Sequence, residues 1–451
     1  MPEFDPTGAI NWAPTYRVLR RPGEPDVRSL DAYRRVGGYV ALVHAINEQT
    51  PDQIIEQVVD AKLRGCGGAG RLTGEKWRIV RNMDDNQKYV ICNAYDADPR
   101  ALAARSLLER NPHQVIEGIV LAAYAVGATE AYLFTRNMYL EAVASVQKAL
   151  NEALEANLVG RDILGTEFSC TINVIGVDIG FMGGEETVQI AMIKGRRGMP
   201  EQRPPYPAQY GLWDKPTAIN CIETLANVPF LVRSGAEAFR SVGSETTGGT
   251  KVLTVYDDVP GSEPRVIEVP FGATLREILH HAGYTRSDGE VRAIVVGGAE
   301  GGALPTSLLD VPFDYDPLEE AGAIVGSSVI ELLPVNTCMV AWAMERSRYL
   351  AKESCGKCVP CRLGVKRIAG ILEGIVSDLG VTGDLNVLDE FASYVPNGSL
   401  CGFGVQAPNA LKTAKRYWPD HFHMHIEEQQ CPTGTCIPVR SHRFVTKHVL
   451  P

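Results

Sequence analysis

Four cysteines have the spacing of a metal-cluster site. Cys355, Cys358 and Cys361 follow one another at intervals of three residues, and Cys401 lies 40 residues further along the chain. Three thiolates this close in sequence can bind one metal ion or metal cluster when the chain curls around it. A fourth thiolate from a distant segment completes a tetrahedral shell of sulfur ligands. The spacing predicts one 4Fe-4S cluster. The alternatives are a zinc site, which usually takes paired Cys-x2-Cys units, or four buried cysteines without a metal.

A glycine-rich segment, GCGGAGRLTGEKW at residues 65–77, has the composition of a phosphate- or ring-binding loop. Glycines let backbone N–H groups approach a phosphate or a flat ring closely, and Lys76 can neutralise a phosphate or polarise a flavin. The segment matches neither the dinucleotide fingerprint nor the Walker loop, so a flexible turn is the alternative. We expect it to follow a helix and to precede a strand.

Two adjacent carboxylates follow a second glycine turn. Glu185 and Glu186 come directly after Gly184, at the predicted start of a helix, where they can face a ring or a ribose. Acidic residues in a first helical turn also complement the helix dipole, so a purely structural role fits the pattern equally well. The basic, proline-containing stretch at residues 194–206 could cover an anionic cofactor.

The elements that must position these residues alternate between helix and strand. Helices are predicted for PDQIIEQVVDAKLRG, HQVIEGIVLAAYAVG and MYLEAVASVQKALNEAL, and strands for KYVICNA, TEAYLFT and CTINVIGV. Such alternation with short apolar strands predicts an α/β domain whose parallel sheet has helices on its faces. A nucleotide-type ligand at the strand ends is then the expected occupant.

The rest of the chain has a different character. Residues 250–332 show the order strand, strand, helix, strand, which indicates a small α+β module. From residue 337 onward, four segments repeat apolar residues every three or four positions, which predicts a small helical bundle. The expected division of the chain is 1–50, 51–245, 246–335, 336–420 and a His/Cys tail at 421–451.

The composition argues against several classes of protein. The 451 residues include 11 cysteines, and the chain begins with neither a basic nor an apolar leader, so a secreted disulfide-stapled protein is not expected. No apolar run reaches 18 residues, which argues against a membrane span. A net charge of −10 without a basic block argues against nucleic acid as the main partner. The length suits two to four domains.

Eight motifs, taken in order, resemble those of one known family. They are GCGGAGRLTGEKW, CNAYDADP, GGEET, KGRRGMP, RPPYPA, NCIET, ESCGKCVPC and SLCGFG. The family is the flavin-bearing subunit of complex I-type NADH:quinone oxidoreductase, with the diaphorase subunits of NAD-linked and bifurcating hydrogenases and formate dehydrogenases. The resemblance covers about residues 50–436. It implies a Rossmann-like FMN domain, then a ubiquitin-like β-grasp module, then a four-helix bundle that carries the cluster.

The resemblance also implies roles for single residues. The family's FMN positions fall on Gly65, Gly67, Lys76, Asn93, Gly184, Glu185 and Asn220. Its nicotinamide-nucleotide contacts fall on Glu186 and Asp98, and Tyr206 remains from its adenine stack. Lys76 and Glu186 are the expected catalytic residues, and the four cysteines are the expected cluster ligands.

Several positions depart from the family pattern. Arg71 and Ile79 stand where the family has aromatic residues of its adenine clamp, Tyr95 where it has an acidic residue, and Cys221 where it has asparagine. Guanidinium groups stack on adenine and bind phosphate. We therefore expect NAD(H) or NADP(H) to be bound in an altered way, or no nucleotide to be bound.

The tail is similar to the segment that leads into an extra ferredoxin domain in bifurcating-hydrogenase relatives. His425, Cys431 and Cys436 can hold zinc there if a fourth ligand comes from elsewhere, and Cys338 is a candidate. The alternative is a solvent-exposed tail with oxidisable thiols.

The implied function is an FMN- and 4Fe-4S-containing oxidoreductase subunit that moves electrons between NAD(P)H, FMN and an iron-sulfur chain. The implied partners are a small thioredoxin-like 2Fe-2S subunit and a larger iron-sulfur electron-acceptor or catalytic subunit. The implied location is the cytoplasm, with the complex forming the peripheral arm of a membrane-associated assembly. Two alternatives are a non-catalytic electron-transfer or scaffold subunit that has lost NADH binding, and a zinc-stabilised binding module without redox chemistry.

Overall fold

The computed structural model describes residues 3–4, 10–12, 15–20, 23–259, 261–284 and 288–436. Within these ranges no helix is both long and apolar enough to cross a membrane. Parts of the predicted N-terminal segment, and the predicted tail after Cys436, lie outside the described residues.

The α-helices of the described residues are numbered in chain order. They are α1 (Leu30–Arg35), α2 (Val40–Glu48), α3 (Pro51–Asp60), α4 (Thr73–Asn82), α5 (Ala103–Arg110), α6 (Pro112–Val126), α7 (Leu140–Glu155), α8 (Glu186–Ile193), α9 (Ile222–Arg240), α10 (Leu275–His281), α11 (Tyr315–Ala321), α12 (Met339–Glu353), α13 (Lys366–Val376), α14 (Gly383–Asn397), α15 (Gly402–Gln406), α16 (Asn409–Tyr417) and α17 (Pro419–His423).

The strands are numbered in the same way. They are β1 (Glu3–Phe4), β2 (Ile10–Asn11), β3 (Tyr89–Ala94), β4 (Glu130–Arg136), β5 (Thr171–Val177), β6 (Thr217–Cys221), β7 (Thr250–Asp257), β8 (Arg265–Pro270), β9 (Val291–Val296), β10 (Gly302–Leu304) and β11 (Val329–Pro334). β1 and β2 form a short antiparallel pair.

The predicted parallel sheet with covering helices is confirmed. Its four strands lie in the order β5-β4-β3-β6, and every neighbouring pair is parallel. Strands β3 and β4 are buried along nearly their whole length, as expected for a sheet with helices on both faces. Helix α6 is buried almost throughout and ends at Gly127, whose φ of +79° suits a left-handed C-cap. The carboxyl ends of β3 and β6 are neighbours, which is where such sheets bind ligands.

The glycine-rich segment differs from the sequence expectation. It does not continue as a loop to the next strand, because α4 begins at Thr73 and contains Lys76. Trp77 and Val80 are the buried apolar residues of this helix. A Cβ at Gly74 would lie only 2.5 Å from Val59 Cγ2 of α3, so Gly74 permits close packing of the two helices. This glycine serves helix packing and does not mark a turn.

The second sheet has five strands of mixed direction, in the order β10-β9-β11-β7-β8. Strands β7 and β11 are parallel, and the other neighbouring pairs are antiparallel. The predicted strand, strand, helix, strand order corresponds to β7, β8, α10 and β9. Helix α10 begins with a capping box between Thr274 and Glu277. The structure adds β10, α11 and β11, which the sequence pattern did not predict.

The C-terminal helices share one buried apolar core. The four predicted helical segments correspond to α12, α13, α14 and α16, and their buried side chains belong to the same cluster. Two π-helical turns lie at Pro360–Val365 and Met424–Glu428. Such turns often accompany functional sites, and these two contain Cys361 and His425.

Candidate functional site

Two asparagines lie at the carboxyl edge of the first sheet. Asn93 is in β3 and Asn220 is in the neighbouring strand β6. The Asn93 amide nitrogen donates to the Gly184 carbonyl at 2.9 Å, and Asn220 Oδ1 accepts from Trp77 Nε1 at 2.9 Å. These bonds bring the second glycine turn and α4 to the same edge of the sheet.

The glycine-rich loop closes on itself and on the second sheet. The Gly65 N–H donates to the Arg71 carbonyl at 2.8 Å, and the Tyr315 hydroxyl donates to the Gly65 carbonyl at 3.0 Å. A Cβ at Gly67 would lie 3.3 Å from Cys221 Cβ. A side chain at Gly67 would therefore press against Cys221, and the glycine lets the loop lie close to the end of β6.

Lys76 projects from the first turns of α4 toward β6. Its Nζ donates to the Ile219 carbonyl, and burial lowers the pKa of this amine. The charge of Glu186 opposes that shift, which shows that the two predicted catalytic residues lie close enough to interact. An enclosed lysine with a lowered pKa can stabilise an anion or transfer a proton.

Glu185 and Glu186 lie at the start of α8 and share one arginine. Glu185 is the N-cap, with Oε2 accepting from the N–H groups of Thr187 (2.8 Å) and Val188 (2.9 Å). Its buried Oε1 has no hydrogen bond in the described structure and lies 3.6 Å from Arg203 Nη2, while Arg203 Nη1 bonds Glu186. Burial raises the pKa of Glu185. One oxygen of Glu185 therefore caps the helix, while the other oxygen makes no hydrogen bond.

Tyr206 does not stack on an aromatic partner from the glycine loop. Instead the exposed Arg71 guanidinium lies over its ring, 4.8 Å from the centroid. Ile79, the other departure, is exposed on α4. The contact is a cation–π pair at the position where the resemblance implied two aromatic faces.

Asp98 is held away from solvent by the second sheet. Its Oδ2 accepts from the Ala299 N–H at 2.8 Å and from the Ser327 hydroxyl at 3.0 Å, and Oδ1 accepts from the Arg100 N–H at 2.9 Å. The side chain is 3% exposed. These bonds give Asp98 a structural role that its predicted nucleotide contact did not include.

Among the four predicted cluster cysteines, Cys355 lies close enough to Cys361 and Cys401 for their charges to interact. Cys361 and Cys401 are buried, and Cys355 and Cys358 are partly exposed. Burial raises the pKa of Cys361, and the charges of Cys355 and Cys358 raise it further. Burial also raises the pKa of Cys401 to about 12, with the charges of Glu185 and Cys355 adding to the effect. Thiolates that raise one another's pKa in this way suit a cationic iron-sulfur core, which would compensate their negative charge.

The cysteine site adjoins the carboxylate site. Cys401 is close enough to Glu185 and Arg203 to interact with both charges. Lys357, between Cys355 and Cys358, donates from Nζ to the Pro200 carbonyl at 2.5 Å, in the segment that leads to Arg203. The residues present therefore fit a flavin and an iron-sulfur cluster on adjacent sides of the same region.

A second metal-type cluster lies at the end of the described chain. One ligand atom from each of Cys338, His425, Cys431 and Cys436 lies within 4.8 Å of the others. Cys338 Sγ is 3.3 Å from His425 Nε2. Three sulfurs and one imidazole nitrogen are the donors of common structural zinc sites. The candidate fourth ligand from the sequence, Cys338, is in this group.

Sequence reasoning missed a buried polar group beneath the glycine loop. Lys251 Nζ bonds Glu223 with both side chains almost fully buried, and Cys66 and Cys221 interact beside them. Lys251 looks like an ordinary strand residue, so no pattern indicated it. The only indication in the sequence was the presence of Cys66 and Cys221 in motifs that otherwise consist of glycines and polar residues.

Comparison with known proteins gives consistent matches. A family described as "Nuo51 FMN-binding domain" matches residues 58–230, and one described as "NADH-ubiquinone oxidoreductase-F iron-sulfur binding region" matches residues 341–425. The F 2 subunit of NADH-quinone oxidoreductase from Rhizobium meliloti (strain 1021) is 37% identical over 92% of this chain and 98% of its own.

Two further proteins extend the comparison to hydrogenases. The NADP-reducing hydrogenase subunit HndC of Solidesulfovibrio fructosivorans is 36% identical over 93% of this chain and 85% of its own. A solved NAD+-reducing [NiFe]-hydrogenase in the H2-reduced state matches with a TM-score of 0.74 and 30% identity. The match covers 85% of this chain, which spans 64% of that hydrogenase chain.

Proposed function

This chain belongs to the family of the F subunits of NADH-quinone oxidoreductase, and from this premise we propose which residues hold its cofactors and how they act. The chain is an oxidoreductase subunit that binds FMN and a 4Fe-4S cluster in a multi-subunit complex. FMN, when bound, supplies the exchange between a two-electron hydride donor and one-electron carriers. The observation that carries the assignment of residues is the contact between the two sites: Lys357, between Cys355 and Cys358, bonds the Pro200 carbonyl in the segment that leads to Arg203, and Arg203 pairs with Glu185 and Glu186.

The proposed FMN site uses the carboxyl edge of the first sheet. Gly65, Gly67 and Gly184 let the backbone approach the ligand, while Asn93 and Asn220 hold the two glycine segments in position. Glu185 Oε1 is buried and makes no hydrogen bond, and a donor on the ligand would share this oxygen with Arg203, whose Nη2 lies 3.6 Å away. Lys76 Nζ, when protonated, places a positive charge beside the ligand, and burial lowers the pKa of this amine and so favours release of the proton.

The proposed iron-sulfur ligands are Cys355, Cys358, Cys361 and Cys401. The burial of Cys361 and Cys401, and the repulsion that both experience from Cys355, support binding of a cationic core that stabilises all four thiolates. A zinc ion at these four positions has less support from the sequence, because the triple spacing lacks paired Cys-x2-Cys units.

The proposed nucleotide site lies between Tyr206, Arg71 and Glu186. Arg71 can stack on adenine and attract phosphate, which suits NADP(H) at least as well as NAD(H). Glu186 orients the nucleotide once its carboxylate no longer pairs with Arg203. Of the residues predicted to contact the nucleotide, Asp98 has the least support, because its carboxylate already accepts three hydrogen bonds within the protein.

One observation favours a second function, a subunit that transfers electrons without binding a nucleotide. Arg203 already pairs with both Glu185 and Glu186, so a nucleotide must compete with an existing ion pair. In that case electrons would enter from a partner subunit.

An anaerobic spectrum before and after addition of NADH or NADPH distinguishes the two functions. We expect the flavin band to bleach with at least one nucleotide in the assembled complex. Bleaching by dithionite but by neither nucleotide at millimolar concentration would favour the second function.

The domain assignment follows the family. We propose an FMN domain at 51–245, a ubiquitin-like β-grasp module at 246–335 that contains the mixed sheet, and a four-helix iron-sulfur domain at 336–420.

The proposed partners are a small thioredoxin-like 2Fe-2S subunit and a larger iron-sulfur subunit. The same family relation supports a cytoplasmic location in the peripheral arm of a membrane-associated complex.

We also propose zinc at Cys338, His425, Cys431 and Cys436, supported by the proximity of their ligand atoms. The bound metal would tie the tail to the start of α12. Metal analysis of the full chain should give one zinc in addition to the cluster iron, and Cys436→Ser should remove the zinc but not the iron. Equal zinc in both proteins would contradict this site.

A further inference from the structure

Two thiols lie side by side beneath the glycine-rich loop. Cys66 is the second residue of the loop and is 3% exposed, while Cys221 ends β6 and is partly exposed. Thr224 Oγ1 joins them, since it accepts from the Cys66 N–H at 2.9 Å and lies 3.1 Å from Cys221 Sγ. The Cys66 thiol donates to the Arg64 carbonyl at 3.6 Å, and the two thiols are close enough for each to influence the ionisation of the other. Neither belongs to the proposed iron or zinc ligands.

The two thiols have opposite environments. The neighbouring Cys66 thiol lowers the pKa of Cys221, and although burial and the Glu223 charge oppose this shift, the Thr224 hydroxyl and the Lys251 charge support it. The same pairing raises the pKa of Cys66, and its burial adds to that effect. Cys221 therefore has the character of an attacking thiolate, and Cys66 that of the thiol that resolves a mixed disulfide.

We propose that Cys66 and Cys221 form a reversible disulfide by exchange with a small disulfide such as oxidised glutathione, and that the bond weakens flavin binding. The Cys221 thiolate first attacks one sulfur of the small disulfide, forms a mixed disulfide and releases one thiolate, which takes up a proton. Cys66 then loses its proton, attacks the Cys221 sulfur and releases the second thiol. The chain gives up two electrons, the small disulfide is reduced to two thiols, and an excess of dithiol reverses both steps.

Formation of the bond draws the loop toward Cys221, because a disulfide holds its sulfurs about 2.05 Å apart, closer than two unbonded thiols approach. Cys221 is fixed as the last residue of β6 and the N-cap of α9. The loop is the part that can yield, since Gly68 and Gly70 have positive φ. The loop already lies close to Cys221, because a Cβ at Gly67 would be 3.3 Å from Cys221 Cβ. The backbone that faces the ligand therefore changes position.

The effect on flavin rests on the FMN site proposed above, whereas the disulfide itself does not. Loss of one charge-assisted hydrogen bond from a displaced loop N–H corresponds to about tenfold weaker FMN binding. The disulfide is detected by peptide mapping and the flavin effect by fluorescence of released FMN, so the two claims are measured separately.

The mapping experiment uses the full FMN-loaded chain under anaerobic conditions with oxidised glutathione. Free thiols are alkylated after denaturation, and we expect a linked peptide containing Cys66 and Cys221 that disappears with dithiothreitol. Cys92, buried on the neighbouring strand β3, is the control thiol and should remain alkylated. Recovery of Cys66 and Cys221 as separate alkylated thiols, or a Cys92–Cys221 link, would overturn the proposal.

The second measurement compares FMN release from the reduced and oxidised chain on dilution. The oxidised chain should bind FMN about tenfold more weakly. Cys66→Ser should show no dependence on the oxidant, and because it keeps all cluster cysteines it controls for damage to the iron site. Equal affinity in a chain with a verified Cys66–Cys221 link would overturn the loop displacement. A reduced chain that binds no FMN would instead contradict the FMN site, and the mapping result alone would then decide the disulfide.

Discussion

Arg71→Phe tests how the nucleotide is recognised. The Arg71 guanidinium lies 4.8 Å from the centroid of the Tyr206 ring, and Arg71 is exposed. An exposed cation–π contact contributes about 0.5–1 kcal/mol, and an aromatic pair at the same place about 0.5–1.5 kcal/mol. The substitution should therefore leave the free energy of unfolding nearly unchanged. A change in nucleotide use then reports recognition and not folding.

The expected change has opposite signs for the two nucleotides. A new aromatic face for adenine contributes on the order of 1–3 kcal/mol, which corresponds to about a 5- to 150-fold lower half-saturating concentration of NADH. Loss of the guanidinium removes a charge-assisted bond to the additional phosphate of NADPH, worth about 1.5–3 kcal/mol. The preference for NADPH over NADH should fall accordingly.

The assay is stopped-flow bleaching of the flavin band in the anaerobic complex, with each nucleotide varied in turn. The matched control is Arg105→Phe, because the Arg105 guanidinium lies 5.7 Å from the Tyr139 ring centroid in the same type of contact. Arg105→Phe should change neither nucleotide's saturation. An unchanged NADH half-saturation in Arg71→Phe, together with an unchanged NADPH preference, would refute the assignment of Arg71 to the nucleotide site.

Three further outcomes are expected. Cys401→Ser should lower bound iron and sulfide in metal analysis, whereas Cys170→Ser, at a buried thiol outside the cluster, should not. Lys251→Met should lower the free energy of unfolding in urea by about 3–5 kcal/mol because it leaves Glu223 charged and buried, and Glu223→Gln in the same chain should recover most of the loss. Burial raises the pKa of Glu268 from 4.5 to about 7, so its stabilising contribution is complete below pH 4.5 and is lost as the pH rises through about 7. Glu268→Gln should flatten that part of the pH profile of urea unfolding, and an unchanged slope would contradict the shift.

The sequence was informative where local spacing determines chemistry. The triple cysteine interval needs only a curled segment and one distant partner, so it could be interpreted without knowing the fold. The alternation of apolar strands and amphipathic helices predicted the parallel sheet, because buried parallel strands are apolar on both faces. The position of the ligand edge followed from the sheet type.

Other features depend on pairing across the fold and left no local signal. Gly74 looks like a turn residue, and only contact with Val59 of α3 shows that it permits helix packing. Glu223 and Lys251 pair between α9 and β7, so neither residue's sequence neighbourhood predicts a buried ion pair. Asp98 was predicted from the family alone, and its bonds to the second sheet became visible only when that sheet was in place.

Arg203, which pairs with the carboxylates, and Arg71, which lies over the Tyr206 ring, have different electrostatic consequences. Arg203 is neutralised locally, since Glu186 and Glu185 flank its guanidinium and raise its pKa although burial opposes the shift. Among the described residues Arg71 has only the neutral Tyr206 ring as its charge-stabilising partner, and its contact leaves the positive charge uncompensated. A nucleotide that arrives at Tyr206 therefore meets the net charge of Arg71, while Arg203 holds the carboxylates in position. This division of roles explains why a substitution at Arg71 should alter the choice between nucleotides, whereas one at Arg203 should disturb the site that both nucleotides share.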